Sequence, residues 1–441
     1  MSLACPVILV PGITATSLRD EYALPAETLW SMSILSTTKE YERIALHPDD
    51  LRYETIEPAR VVADQVLEVA YKELIEELRH NLSEDPERSV PVYAFAYDWR
   101  MPLEISEARL VRFMDEVIAR TKLLRHYQND PWIKNPRVNL VGHSMGGLLI
   151  TDCLARYVEH KKVMPPVAKV ATLATPYRGS FEAVIQFATG TASLGTGAPS
   201  SRERETARVT PALYYLIPSC AGLTLMDRPS DTTLFKPDLW QPSIVQSLAQ
   251  YVRLYAARPE GAADQAATLF RAMLDKASSH RAQVDSFELA TAGLGADDWL
   301  CVAGANSETR VALNVVKEGG GYQFDFRSSD RKNEWSEGAA VQSELTGDGT
   351  VPFAAARPAF IAPERLVCVT PDDYGYWEVQ DRVVSAAAGF HGILPNMDML
   401  HRLLVRFFTG RPDTRKNTWG RRAPGVSKGK WNPPLALSEE S

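Results

Sequence analysis

The 441-residue chain is poor in cysteine, with five residues at Cys5, Cys153, Cys220, Cys301 and Cys368. Their number is odd and no two are close, which excludes both a disulfide framework and a zinc-binding pattern. No uninterrupted apolar run approaches the ~20 residues of a membrane span. Met1-Ser2-Leu3-Ala4 leads almost directly into Pro6–Val10, leaving no room for the charged and apolar regions of a secretion signal. The chain therefore reads as soluble and cytoplasmic. A formal charge of −7 over this length is mild and argues against nucleic acid as a partner. The eight histidines form no Cys/His cluster with ligand spacing, so neither a metal nor a cofactor is expected. No internal repeat is present. Apolar residues, by contrast, make up 45% of the chain. That content and length suit one large core carrying insertions.

The most informative stretch is Val138-Asn139-Leu140-Val141-Gly142-His143-Ser144-Met145-Gly146-Gly147. An apolar run of strand type enters Gly-x-Ser-x-Gly and is followed by the mostly apolar helical stretch Leu148–Val158. Strand, sharp turn and helix make a nucleophile elbow, with Ser144 as nucleophile. The turn is strained, and Gly142 and Gly146 stand where a Cβ would collide with the adjoining strand or helix. The helix N-terminus favours negative charge developing beside the serine. His143 adjoins the serine but points elsewhere in an elbow and reads as structural. Cys153, in the following helix, reads as a small core residue.

The rest of the chain supplies a sheet around that elbow. Val7–Val10 is a buried strand breaking at Pro11-Gly12. Arg19 to about Arg60 has no clean periodicity and reads as a long excursion beside the site mouth. Val66–Leu78 carries apolar residues at helical spacing and is read only as a packing helix. Val90–Tyr97 predicts a strand, Glu104–Leu124 a helix, and Val167–Pro176 another strand. This alternation predicts an α/β fold with a mostly parallel, doubly wound sheet. From Phe181 to Asp298 the strand rhythm stops. Thr189–Ser201 reads as a loop, Pro211–Met226 is apolar, and helices are predicted near Ile244–Tyr255 and Ala266–Phe287. Leu300–Gly304 restores the sheet, Arg365–Val369 is a last strand, and Met399–Phe408 a closing helix. The expected organisation is a hydrolase core at 1–180 and 299–410, a helical cap or lid insertion at 181–298, and an irregular tail at 411–441. Trp419 and Trp431 are expected to pin that tail.

In this kind of fold the chain order is nucleophile, acid, histidine. Ser144, Asp348 and His391 satisfy it. His391 would remove the serine proton and return it to the leaving group, while Asp348 fixes the imidazole tautomer. Asp348 is preferred over Asp372 and Asp373 because Gly347 and Gly349 allow a tight turn. His401 is the rival histidine but falls in the closing helix, where a surface or core role is expected. His47, His80, His126, His160 and His280 read as solvent-facing. The loop after the first strand supplies one oxyanion amide, assigned to Ile13 with Thr14 as alternative; Met145 supplies the other.

Several segments together resemble the lecithin:cholesterol acyltransferase-like α/β-hydrolases, and more closely their bacterial branch. They are Val10–Ile13, Tyr97-Asp98-Trp99-Arg100, Gly142–Gly147, Thr175–Ser180, Pro211–Ser219 and Gly347-Asp348-Gly349-Thr350-Val351-Pro352. The Tyr-Asp-Trp-Arg and Gly-Asp-Gly-Thr-Val pieces are the distinctive ones. The resemblance implies a Ser144–Asp348–His391 triad, oxyanion amides at Ile13 and Met145, and an acyl-ester substrate. Neither the leader nor the disulfide-closed lid of secreted members is evident. The expected activity is serine-dependent hydrolysis or acyl transfer on a hydrophobic ester, with lipid-surface contact through the insertion. A soluble ester, lactone or amide substrate is the alternative, and a non-catalytic binding module with this fold is the contrasting class.

Overall fold

A computed structural model describes residues 3–32, 37–83, 85–190, 200–220, 222–225, 233–336, 345–378, 381–382, 385 and 389–437. Its centre is a six-stranded sheet of β1 (Val7–Val10), β2 (Val92–Ala94), β3 (Val138–His143), β4 (Val167–Leu173), β5 (Trp299–Gly304) and β6 (Val367–Val369). The spatial order is β2-β1-β3-β4-β5-β6, and every neighbouring pair is parallel. Parallel sheets covered on both faces need strands apolar on both faces. β1 meets this demand, since all four of its residues are buried. Ile8 and Val10 join the core on one side of the sheet, while Val7 and Leu9 join the core on the other. The first side is covered by α2 (Leu103–Lys122) and α3 (Met145–Lys161) through Leu110, Met114, Leu149 and Leu154. The second is covered by α1 (Glu68–Leu82) and α5 (Asp398–Thr409), through Tyr71, Leu74, Leu400 and Leu404. The molecule is an α/β-hydrolase fold, as its sequence rhythm predicts.

Three stretches differ from the reading of the sequence. The excursion after β1 is not irregular. Thr37–Lys39, Glu27–Met32, Thr16–Asp20 and Val61–Val66 form a four-stranded antiparallel sheet in that order. Its strands are short and bulged near Leu18; Thr16–Asp20 is buried along nearly its whole length, while Glu27–Met32 and Val61–Val66 are only partly buried, so no clean alternation reaches the sequence. Within Val90–Tyr97 only Val92–Ala94 pairs. The strand rhythm also does not stop wholly at Phe181, because Leu223–Leu225 pairs in parallel with Leu313–Glu318. Leu313–Glu318 pairs in turn with Gly321–Asp325.

The inserted stretch otherwise holds helices Phe181–Thr189, Ser201–Arg208, Pro242–Tyr255 and α4 (Ala262–Asp285). Residues 191–199 of the expected loop, and Met226, lie outside the described residues. The tail is tied to the sheet: Cys368 of β6 forms an antiparallel bridge with Arg421, and Trp431 Nε1 donates to the Leu366 carbonyl at 2.9 Å.

Candidate active site

Ser144 stands between the end of β3 and the start of α3 with φ 53° and ψ −128°. A non-glycine residue there is strained by about 1–3 kcal/mol, and the surroundings hold it. Its N–H donates to the Leu173 carbonyl at 2.9 Å and its carbonyl accepts from Gly147 N at 3.0 Å. The glycines are steric necessities. A Cβ on Gly146 would stand 2.1 Å from the Val10 carbonyl oxygen, and one on Gly142 2.8 Å from Gly147 Cα. A Cβ on Gly12 would lie 2.9 Å from Ser144 Cβ, so the loop after β1 touches the serine. Ile13 follows directly in that loop. Met145 opens α3, where an N–H has no intrahelical acceptor. Both expected oxyanion residues are thus sequence neighbours of atoms that adjoin Ser144. Thr14, the alternative, has φ 61°, and its carbonyl accepts from Trp30 Nε1 at 2.9 Å.

Asp348 reaches the serine from a turn beyond β5, and His391 from the short helix Phe390–Ile393 beyond β6. Ser144 Oγ is 2.9 Å from His391 Nε2, and His391 Nδ1 is 2.7 Å from Asp348 Oδ2. The other carboxylate oxygen, Oδ1, accepts from Val351 N at 2.7 Å and Thr350 N at 3.0 Å. The His391 N–H donates to the Asp348 carbonyl at 3.0 Å, so side chain and backbone fix one another. Gly347 and Gly349 make the acid's turn possible. A Cβ on Gly347 would strike the Val351 carbonyl at 2.3 Å, and Gly349 has φ 93°. With Oδ2 accepting from Nδ1–H, the Nε2 lone pair faces the hydroxyl. That is the arrangement general-base activation of a serine requires.

Two residues read as structural belong to the same network. The Gly12 N–H donates to Tyr71 Oη at 2.9 Å, and Tyr71 Oη lies 2.7 Å from His143 Nδ1. His143 Nε2 lies 3.0 Å from the His391 carbonyl. A carbonyl only accepts, so Nε2 carries the proton and Nδ1 accepts from the tyrosine hydroxyl. Burial, followed by the nearby His391, holds the His143 pKa well below the usual histidine value, consistent with this neutral form. The chain of bonds links the loop beside Ser144 to the short helix carrying His391. The Tyr71 hydroxyl was hidden because the helical pattern around it accounts for an aromatic residue by packing alone. The only available hint was a hydroxyl on an otherwise apolar face, since a buried Tyr needs a partner for its O–H.

The Tyr-Asp-Trp-Arg segment holds the neighbouring loops. Tyr97 Oη donates to the Pro11 carbonyl at 3.1 Å and Trp99 Nε1 to the Thr16 carbonyl at 3.0 Å. Arg100, wholly buried, donates to Asp98 through Nε and Nη2, to Glu54 and to the Ile44 carbonyl. Removing either acid would leave a buried guanidinium short of counter-charge, at a cost of several kcal/mol.

The competing candidates lie elsewhere. Asp373 accepts from Thr370, Trp419 and Arg421, and Asp372 from Asn306 Nδ2. His401 is buried, with Nε2 2.7 Å from the Pro395 carbonyl. His80 and His160 are exposed as expected. His280 is not: it is only 2% exposed. The sequence around it looked polar, but position 280 falls on the face of α4 that packs against the elbow helix α3. There it meets Glu107 of α2 and Asp152 of α3, and these three are the described side chains grouped closely enough to hold a metal ion.

Comparison with known proteins adds to this geometry. The family model described as lecithin:cholesterol acyltransferase matches residues 59–254, a span that includes Ser144 and ends before Asp348 and His391. This bears out the resemblance drawn from the motifs. No curated protein matches the chain. Among solved structures, the Tle4–Tli4 complex contains a chain similar over 92% of this chain and 98% of its own, at 14% identity and TM-score 0.59. The phospholipase PlaB from Legionella pneumophila in complex with thio-NAD aligns over 94% of this chain and 60% of its own, at 10% identity and TM-score 0.33. At such identities the first likeness speaks for the fold alone. Among the described residues no helix is long and apolar enough to cross a membrane.

Proposed function

We propose, for a chain that is an α/β-hydrolase of the lecithin:cholesterol acyltransferase-like kind, that it cleaves or transfers the acyl group of a hydrophobic ester by serine catalysis. The observation that carries this reading is the unbroken run of hydrogen bonds from Ser144 Oγ through the His391 ring to Asp348. Ser144 attacks the ester carbonyl as His391 Nε2 takes its proton, and Asp348 stabilises the imidazolium. The backbone N–H groups of Met145 and Ile13 receive the oxyanion. His391 then protonates the departing alcohol, leaving an acyl-enzyme on Ser144. Water or an acceptor alcohol, deprotonated by the same ring, releases the acyl group. No metal or cofactor enters this sequence of steps.

The family match supports a lipid ester as substrate, with the 181–298 insertion as the cap over its acyl chain and the region that meets a lipid surface. Ser180 Oγ bonds the Thr350 carbonyl, which joins the start of that insertion to the turn bearing Asp348. The test is covalent labelling by a fluorophosphonate. Wild-type protein should label once, and Ser144→Ala should neither label nor turn over a p-nitrophenyl acyl ester. Labelling of the variant at wild-type level overturns the assignment.

A further inference from the structure

Away from the serine, three buried side chains from three different helices face one another with their bonding capacity unmet. Asp152 lies on α3, two turns after the nucleophile, and is wholly buried; Glu107 comes from α2 and His280 from α4. One ligand atom from each lies within 4.8 Å of the other two. Neither oxygen of Asp152, neither ring nitrogen of His280, nor Oε1 of Glu107 has a hydrogen-bond partner. Native interiors leave few such groups unpaired, and an unpaired buried charge is the most costly kind. This cluster leaves five such atoms in one place.

The spacings say what is missing. His280 Nε2 stands 3.7 Å from Asp152 Oδ2, too long for a hydrogen bond. Two ligand atoms sharing one tetrahedral zinc at 2.0–2.1 Å would lie about 3.4 Å apart. The pair is therefore set for a bridging ion rather than for direct contact. A proton shared between Glu107 and Asp152 would satisfy the two acids but leave His280 with both nitrogens unpaired. A cation engages all three side chains at once, taking one ring nitrogen of His280. Arg156 borders the site, with Nε 3.4 Å from Asp152 Oδ1 and 4.0 Å from Glu107 Oε2. That Nε–H is already donated to Gln283 Oε1 at 2.8 Å.

We propose that Glu107, Asp152 and His280 form a binding site for a divalent transition-metal ion of the zinc type, which clamps the inserted helix α4 to the elbow helix α3 and to α2. One imidazole and two carboxylates are the ligands zinc takes. The site lies outside the serine–histidine–aspartate constellation and makes no use of the proposed reaction.

The experiment uses the untagged full chain, stripped with a chelator and then supplied with Zn²⁺. Wild type should retain about one Zn²⁺ per chain by elemental analysis after desalting and gain about 3 °C or more in Tm. His280→Gln and Glu107→Gln, each checked for native circular dichroism, should lose both the bound metal and the gain. Because His280→Gln could fail to fold, Glu107→Gln gives a second reading with volume retained. His80→Gln, at an exposed histidine, controls for surface binding and should behave as wild type. A wild-type chain that retains no Zn²⁺ and shows no Tm response overturns the proposal. So does retention undiminished in folded His280→Gln and Glu107→Gln. Fluorophosphonate labelling of the zinc-free protein separates this result from failure of the serine assignment.

Discussion

Two acid–histidine pairs flank the same strand-turn-helix, and they differ in almost everything except residue type. In the first, Asp348 and His391 meet at 2.7 Å, and Val351 and Thr350 amides fill the remaining carboxylate oxygen. In the second, Asp152 and His280 stand 3.7 Å apart and neither has a hydrogen-bond partner. The first is complete: its hydrogen bonds fix one tautomer and leave a single lone pair aimed at Ser144. The second is open: one ligand atom from each of Glu107, Asp152 and His280 lies within 4.8 Å of the other two. Composition does not separate the two pairs. What separates them is how many bonds each group already has.

The largest effect expected is at the complete pair. Ser144→Ala and His391→Ala should each lower ester turnover by about 10⁴-fold or more, and to a similar level, because the two act as a unit. His401→Ala should stay within about twofold of wild-type turnover, its ring being bonded to Pro395. Steady-state kinetics on one acyl ester measures all three, and a reversal of the two histidines would reassign the base.

The contrast can next be put to a direct trial with isosteric changes. Asp348→Asn should cut kcat by about 10³–10⁴-fold with a small change in Tm, since the amide would hold the wrong tautomer. Asp152→Asn should do the opposite, shifting Tm by several degrees in zinc-loaded protein while kcat changes less than about tenfold. Equal profiles for the two variants would erase the distinction.

Tyr71→Phe probes how the complete pair is held in place. It leaves the Gly12 N–H and His143 Nδ1 without their shared partner, at about 1–3 kcal/mol. A fall in kcat of about 10–100-fold at nearly constant KM is expected, because the loop touching Ser144 would be loosened while substrate contacts persist. A change confined to Tm would make the tyrosine merely structural.

The effect most remote from turnover is on stability against pH. Burial lowers the pKa values of His143 and His401 in the folded chain. Below the unfolded value near 6.5 the unfolded chain binds protons that the folded one refuses, so stability falls as pH drops. Each histidine should contribute up to about 1.4 kcal/mol per pH unit in that window. Denaturant melts from pH 7 to 5 would measure it, and His143→Gln should reduce the slope.

The elbow was legible because its constraints are local: two glycines, a strand before, a helix after. Asp348 and His391 followed from chain order and from the glycines around the acid. The link between Tyr71 and His143 spans 72 positions and leaves no periodic trace. His280 was misjudged for a related reason. Polar neighbours describe a helix as a whole, whereas burial is decided on the face carrying position 280. The antiparallel sheet between residues 16 and 66 is not legible because its short, bulged strands do not alternate cleanly.

The tail beyond residue 410 has a consequence for how the molecule behaves in a crowd. β6 is an outermost strand of the central sheet, and such a margin offers its amides and carbonyls to any passing chain. Arg421 takes up that vacancy, both accepting from and donating to Cys368, while Trp419 and Arg421 anchor on Asp373. These residues act as a selvedge that keeps the weave from fraying into a neighbour's, so a chain shortened before Thr418 should remain folded at its centre yet clump on standing.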